Sequence, residues 1–372
     1  MKILELTNFS AGICGVWARV REEAERLSKK HEVVVFSSNF VKGNGDVRAK
    51  PEDRIGKVEI KRFKARKLGG ESYMKWDFES VKSAVLEFKP DVIIAHSYRH
   101  KHTDFALDIG EKIGAKVFLV THAPFVENDK TRSLLARIYL RFYYKKVVLK
   151  NIKKFNKVIA ITKWEIPILE KLGVDKRKIE YIPNGIPELF FSQKKEKEEN
   201  KILFLGRVAP VKNIETAIKA MRLVEDKKIK LEIVGPAEKD YLKKLTKLVK
   251  KHRLESRIVF SEGIFEIKEK IRKIDSCKIF VLPSKSEAMP QSLIEAMARE
   301  KIVIASDNKG AKELVENGKT GHLFRIGNSK ELAGKINKVL SAKESEKIGD
   351  NAKKFVSQFS WDKIIKKIEG LI

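Results

Sequence analysis

Glu287 and Glu295 stand eight positions apart in the segment Val281-Leu282-Pro283-Ser284-Lys285-Ser286-Glu287-Ala288-Met289-Pro290-Gln291-Ser292-Leu293-Ile294-Glu295. An apolar run ends at Leu282, Pro290 permits a helix to start, and Glu295 then falls one to two turns into that helix. Carboxylates so placed suit hydroxyl recognition. Glu295 can take two ribose hydroxyls in a bidentate way, and Glu287, in the loop, can accept from the hydroxyls of a sugar. Because Pro290 has no N–H, the free amides of Gln291 and Ser292 open the helix and suit a phosphate. The plainer alternative is one helix-capping and one surface glutamate. Upstream, Gly206-Arg207 closes another apolar run and Lys212-Asn213 follows five residues after Arg207. These two cations can clamp a diphosphate leaving group, or they are solvated charges in a basic chain.

Near the N-terminus, Ser10-Ala11-Gly12-Ile13-Cys14-Gly15 follows a first apolar run and opens a helix. Glycines there let backbone approach a phosphate; a plain strand-to-helix turn reads equally well. The match to G-x-G-x-x-G is poor, and G-x-x-x-x-G-K-[ST] is absent, which removes a P-loop nucleotidase.

The elements that must carry these residues alternate. Apolar, β-branched runs at Lys2–Thr7, Val33–Ser37, Val58–Phe63, Asp91–His96, Lys116–Thr121, Lys157–Ile161 and Ile179–Ile182 read as strands of a parallel, helix-covered sheet, with helices at Val16–Lys30, Phe78–Glu87, Thr103–Ile113 and Glu165–Leu172. After the charged connector Gln193–Asn200 the alternation restarts. Its strands are Lys201–Leu205, Leu231–Val234, Arg257–Phe260, Ile279–Leu282 and Ile302–Ala305. Two Rossmann-like units imply a cleft between them. The expected division is 1–187, 188–356 and a C-terminal helix in 357–372 that packs back on the first unit.

Composition narrows the class. Among 372 residues, 79 Lys and Arg oppose 50 Asp and Glu, a net charge of +29, and 42% of residues are hydrophobic. The apolar fraction supports packed cores. Two cysteines far apart, Cys14 and Cys277, argue against a disulfide scaffold or a cysteine zinc site and fit a reducing compartment. No apolar run is long enough to span a membrane, and the N-terminus reads as a strand and not as a secretory signal. A cytoplasmic protein is expected. The charge favours an anionic partner, and the Lys- and Glu-rich surface also suits a hot environment. Residues 130–164 hold eleven Lys or Arg, no acid, and interleaved aromatics at Tyr139, Phe142, Tyr143, Tyr144, Phe155 and Trp164. The segment reads either as a surface lying on acidic lipid at the inner face of the cell membrane or as a packed helix with a solvated basic face. A nucleic-acid-binding protein without enzymatic activity would explain the charge and the aromatics, but neither the two Rossmann-like halves nor the ordered motifs of the second.

Those ordered motifs carry a resemblance. Gly206-Arg207 with Lys212, Glu287 through Glu295 as E-x7-E, Glu295-Ala296-Met297-Ala298, Ile302–Ser306, Gly310-Ala311-Lys312-Glu313-Leu314-Val315, and Asn317-Gly318 before Gly321 follow in the order of family 4 glycosyltransferases. Pro183-Asn184-Gly185-Ile186 matches the segment closing that family's first domain, so the chain resembles the family over nearly its whole length. The resemblance implies the α/β GT-B fold, two Rossmann-like domains with parallel sheets facing a central cleft. It implies a retaining hexosyltransferase that uses a nucleotide-diphosphate sugar as donor, with no cofactor and no metal required, and a glycan or lipid-linked acceptor. Arg207 and Lys212 would bind the diphosphate and Glu295 the ribose. Glu287 would bind the transferred sugar, and Gly15, Met289, Gln291 and Ser292 would line the donor. His122, in Val120-Thr121-His122-Ala123, matches the first-domain histidine near the reacting sugar; by itself it also reads as a local cap at a strand end. The chain departs from the family at Cys14-Gly15, Ala288-Met289-Pro290, Arg299-Glu300 and Asn308-Lys309-Gly310, positions that bear on donor-sugar preference more than on reaction class.

Overall fold

The computed structural model describes residues 1–12, 14–43, 46–69, 73–122, 151–192, 196–264, 266–341 and 345–372. The chain divides into two compact units, the first made of 1–184 with 363–372 and the second of 185–362.

In the first unit, β1 (Lys2–Phe9), β2 (Glu32–Ser38), β3 (Glu52–Ile55), β4 (Val58–Phe63), β7 (Val92–His96), β8 (Lys116–Val120), β9 (Lys157–Ala160) and β10 (Ile179–Tyr181) form one sheet in the order β10-β9-β8-β7-β1-β2-β4-β3. The runs Ile3–Leu4, Val33–Phe36 and Val92–Ala95 are buried on both faces, which is why they are continuously apolar instead of alternating. Helices Gly15–Leu27, Phe78–Phe88 and Lys101–Ile113 cover the sheet through Val20, Ala24, Leu27, Val81, Val85, Ala106 and Leu107. Strand order reverses at β1, which is flanked by β2 and β7, and crevices at such reversals open at the carboxyl edge.

The sheet is not wholly parallel. β3 pairs antiparallel with β4, and a separate antiparallel hairpin joins β5 (Ala65–Gly69) to β6 (Tyr73–Trp76). β3 reads Glu-Asp-Arg-Ile and is mostly exposed at the sheet edge, so it has no apolar signature. Of the basic segment 130–164, residues 130–150 lie outside the described residues, and with them Leu134, Leu135, Ile138 and Phe142, the apolar stripe that a packed helix there is expected to bury. A long basic helix is expected over Arg132–Lys157; of that range the described residues hold helical Asn151 and the single turn Ile152–Lys154 before β9 begins at Lys157.

In the second unit, β11 (Lys201–Leu205), β12 (Lys230–Val234), β13 (Ile258–Ser261), β14 (Ile279–Leu282), β15 (Ile302–Ser306) and β16 (His322–Phe324) pair in parallel in the order β13-β12-β11-β14-β15-β16. Order reverses at β11. The last helix, Trp361–Glu369, starts in this unit: Trp361 N donates to Ile186 O at 3.1 Å, and Ile186 pairs with Ser360. Further along it, Lys30 Nζ meets Glu369 Oε2 at 2.8 Å within the first unit. Among the described residues no helix is long and apolar enough to cross a membrane.

Candidate active site

In the second unit, the strands on either side of the order reversal deliver two loops to one place. Gly206 follows β11 and Pro283 follows β14, and the loops they open are stitched together. Lys285 N donates to Val211 O at 2.8 Å and Asn213 Nδ2 donates to Pro283 O at 3.3 Å. Asn213 itself adopts the left-handed conformation, φ 50°, where asparagine is tolerated. Across this seam Lys212 Nζ donates to Glu287 Oε1 at 2.6 Å, with both side chains largely shielded from solvent. A third loop closes on the second. Asn308 Nδ2 donates to Ser284 O at 3.2 Å, and Gly310 lies so close that a Cβ there would stand 2.3 Å from Ala288 O.

The structure therefore brings Lys212 and Glu287 into contact. Arg207 is not part of that contact: its half-exposed side chain places Nη1 3.5 Å from Glu238 Oε1. Gln291 and Ser292 open the helix Gln291–Ala298, whose N-cap is Pro290 with no side-chain cap. Gln291 Nε2 donates to Gly185 O at 2.9 Å, and Met289 is buried. Glu295 is buried on the same helix, and burial raises its pKa against the opposing pull of Lys270, whose Nζ donates to Glu295 Oε1 at 2.7 Å. Lys270, on the helix Ile267–Asp275, belongs to no motif, and nothing in its sequence surroundings separates it from the neighbouring lysines.

In the first unit, Gly12 and not Gly15 is the position whose backbone demands glycine. Gly12 has φ 84° and a Cβ there would lie 2.3 Å from Lys42 O, whereas around Gly15 that space is open. The turn thus leaves room at the start of the helix Gly15–Leu27.

His122 follows β8 with φ 54°, and Ser97 and Arg99 after the neighbouring β7 also have positive φ, 73° and 75°. Such backbone outliers gather at functional edges. His122 does not cap its own strand. Its Nε2 lies 3.1 Å from His96 Nδ1, and His96 Nε2 lies 2.6 Å from Glu5 Oε2. Glu5 and His96 are fully buried, with Arg19 and Glu23 of the first helix beside them, Arg19 Nε donating to Glu23 Oε2 at 3.1 Å. Arg19 Nη1 reaches Ile182 O at 3.0 Å and Pro183 O at 3.1 Å, which ties the end of the unit to this cluster. Burial pushes the Glu5 carboxyl up to about 8 and, with the Glu5 charge adding to it, Glu23 up to about 6. Burial lowers His96 to about 4 and His122 well below the usual imidazole value. Polar atoms of Glu5, Glu23 and His96 lie within 4.8 Å of one another, and the positive charge among them is the Arg19 guanidinium paired with Glu23. A signal for this cluster existed in the sequence: Glu5 interrupts the apolar run Ile3-Leu4-Glu5-Leu6, and His96 ends Val92-Ile93-Ile94-Ala95-His96.

Two family models match. That described as Glycosyltransferase Family 4 covers residues 13–188, and that described as Glycosyl transferases group 1 covers 185–355. An uncharacterized glycosyltransferase of Methanocaldococcus jannaschii is 31% identical over 252 residues, 62% of this chain and 62% of its own length. A poly(ribitol-phosphate) alpha-N-acetylglucosaminyltransferase of Staphylococcus aureus is 29% identical over 231 residues, 60% of this chain and 45% of its own length. The matches thus span about half to three fifths of these relatives. Anabaena HepE, solved in complex with UDP-glucose, superposes with a TM-score of 0.79 at 20% identity, covering 100% of this chain and 99% of that one.

Proposed function

The chain belongs to the family 4 glycosyltransferases, of GT-B fold, and from that premise we propose that it is a retaining hexosyltransferase, moving a hexose from a nucleotide-diphosphate sugar to an acceptor hydroxyl. The observation that carries this reading is the Lys212–Glu287 pair, held at 2.6 Å across two stitched loops at the carboxyl edge of the second sheet. As the glycosidic bond breaks, negative charge grows on the β-phosphate. Lys212 and Arg207 meet it, work that a divalent cation does in other enzymes. A diphosphate drawing on Lys212 releases Glu287, whose carboxylate then accepts from hydroxyls of the transferred sugar. Glu295 takes the ribose. The amides of Gln291 and Ser292 and the open backbone at Gly15 suit phosphate, and Met289 lines the donor. His122 serves the reacting sugar. The sugar becomes oxocarbenium-like, the acceptor hydroxyl attacks from the face the leaving group departs, and the phosphate takes its proton.

The acceptor is a glycan or lipid-linked glycoconjugate. A relative named for poly(ribitol-phosphate), a polyanion, is compatible with the +29 charge of this chain. Residues 130–164 are proposed to rest on acidic lipid, a reading supported by their eleven cations and absent acids. A thermal-shift screen of UDP, GDP and ADP sugars, followed by product analysis with lipid-linked and water-soluble acceptors, tests the reaction. Stabilisation by a sugar nucleotide and an anomer-retained product are expected; no stabilisation and no transfer from any donor would overturn the reading. Flotation with acidic but not neutral liposomes is the expected behaviour of the basic segment.

A further inference from the structure

Glu5 and His96, which lead to His122, have no part in the steps above. The geometry of the three is that of a single hydrogen-bonded chain: 2.6 Å from carboxylate to the first imidazole and 3.1 Å from the first imidazole to the second. Among the described residues Glu5 Oε1 has no hydrogen-bond partner, so the Oε2 contact is there the one polar outlet of a fully buried carboxyl. At the other end, the half-buried His122 ring has no partner at Nδ1 among the described residues.

Two proton arrangements satisfy this chain with both imidazoles neutral. With Glu5 ionised, His96 carries its proton on Nε2 and donates to Glu5. His96 Nδ1 is then bare and accepts from His122 Nε2–H, so His122 Nδ1 is an acceptor. With Glu5 protonated, the carboxyl donates to His96 Nε2. His96 Nδ1–H then donates to His122 Nε2, so the His122 proton sits on Nδ1 and that atom is a donor. One proton gained at Glu5 therefore appears as one proton at His122 Nδ1, and neither ring becomes charged.

We propose that Glu5 and His96 are positioning residues that act through His122, the state of the Glu5 carboxyl deciding whether His122 offers a hydrogen-bond donor or an acceptor to the sugar. This rests on the reading above that His122 serves the reacting sugar. The surroundings support it. Burial lifts Glu5 to about 8, so its carboxyl changes state near neutral pH, while His96, lowered to about 4, stays neutral throughout. The other charged or titratable groups facing the chain are Arg19 and Glu23 on the first helix, and His102, whose Nε2 lies 2.7 Å from His96 O and which burial lowers to about 3. Glu165, behind the strand end at Thr121, completes the set among the described residues. Arg19 is held by Glu23 and by two carbonyls, so it offsets part of the burial effect without breaking the chain.

The test uses the full chain labelled with 15N-histidine, whose tautomers are read from long-range 15N–1H spectra between about pH 6 and about pH 9.5. In the natural protein, His122 is expected to pass from Nδ1–H to Nε2–H as the pH rises, and His96 to change over the same range. In Glu5→Gln neither should change with pH, and in His96→Asn His122 should cease to follow it. A single His122 tautomer across the range in the natural protein, or the same change in Glu5→Gln, would overturn the proposal; the first of these needs no variant to fold. The second readout is kinetic. The kcat profile should have a limb near pH 8 that Glu5→Gln abolishes, with donor KM changed less than about twofold. A limb that survives in Glu5→Gln would remove any action on the reaction. If the natural protein turns over no sugar nucleotide, the proposed function fails, and the spectra decide the hydrogen-bonded chain without it.

Discussion

At the scale of single residues, Lys212 and Arg207 differ in how they wait. Lys212 is held against Glu287 and largely shielded, whereas Arg207 is half-exposed beside Glu238. Alanine at either should lower kcat with the cognate donor at least about tenfold. Lys212→Ala should do more, because it also leaves the Glu287 carboxylate without its partner. Steady-state rates on purified variants check this, and near-natural rates in both would end the diphosphate assignment. Lys270 is a residue that no motif predicted. Its ammonium is the partner of the buried Glu295 carboxylate, so Lys270→Met should destabilise the second unit by about 2 kcal/mol and leave Glu295 more readily protonated; urea denaturation reads the first effect and donor affinity against pH the second. Glu287 and Glu295 were legible because their spacing and the intervening Pro290 are written in the chain. Lys270, and the link between His96 and His122, were not, because each contact joins elements whose separation in sequence carries no pattern.

Between residue and fold stand the loops and short strands. The three loops of the second unit are packed to backbone contact, and Gly310 stands at one such contact. In Gly310→Ala the new methyl would meet Ala288 O at 2.3 Å and Glu287 O at 2.7 Å, so the loop bearing Glu287 must move. Donor KM should rise several-fold while far-UV circular dichroism stays native; an unchanged KM would show that the loop can shift without consequence for the donor. Buried strands such as Val92–His96 and Ile279–Leu282 were readable as strands because both of their faces are covered. The edge strand Glu52–Ile55 was missed for the opposite reason: edge pairing is carried by backbone hydrogen bonds and needs no apolar run, while the hairpin Ala65–Gly69 with Tyr73–Trp76 buries Met74 and Trp76 in strands too short to show a period.

For the whole molecule, the buried cluster makes stability a function of pH with a definite sign. Glu5 and Glu23 have folded pKa values of about 8 and about 6 against an ordinary 4.5, so their contribution is complete below 4.5 and is lost as pH rises, through about 6 for Glu23 and about 8 for Glu5. His96 and His102, at about 4 and about 3 against 6.5, act in reverse: their contribution is complete above 6.5 and lost as pH falls. The two sets oppose each other between 4.5 and 6.5, and above 6.5 the Glu5 effect stands without opposition from the histidines. Calorimetry should therefore find the first unit losing stability from about pH 6.5 to about pH 8, by at most about 1.4 kcal/mol per pH unit. Glu5→Gln should flatten that slope, and a flat curve in the natural protein would count against a raised Glu5.

The path of the chain has a further consequence. It enters the second unit at Gly185 and leaves it at Asp362, and these two crossings lie together, since Ile186 pairs with Ser360 and a Cβ on Gly185 would meet the Trp361 ring at 2.3 Å. The second unit is therefore a cassette whose two ends already touch. A gene encoding 185–362 alone should yield a folded product, and one joining 184 to 363 through a short linker should restore the first unit without it. Heredity could exchange such a cassette whole, and with it the loops that carry Lys212 and Glu287, leaving the remainder of the chain as it was.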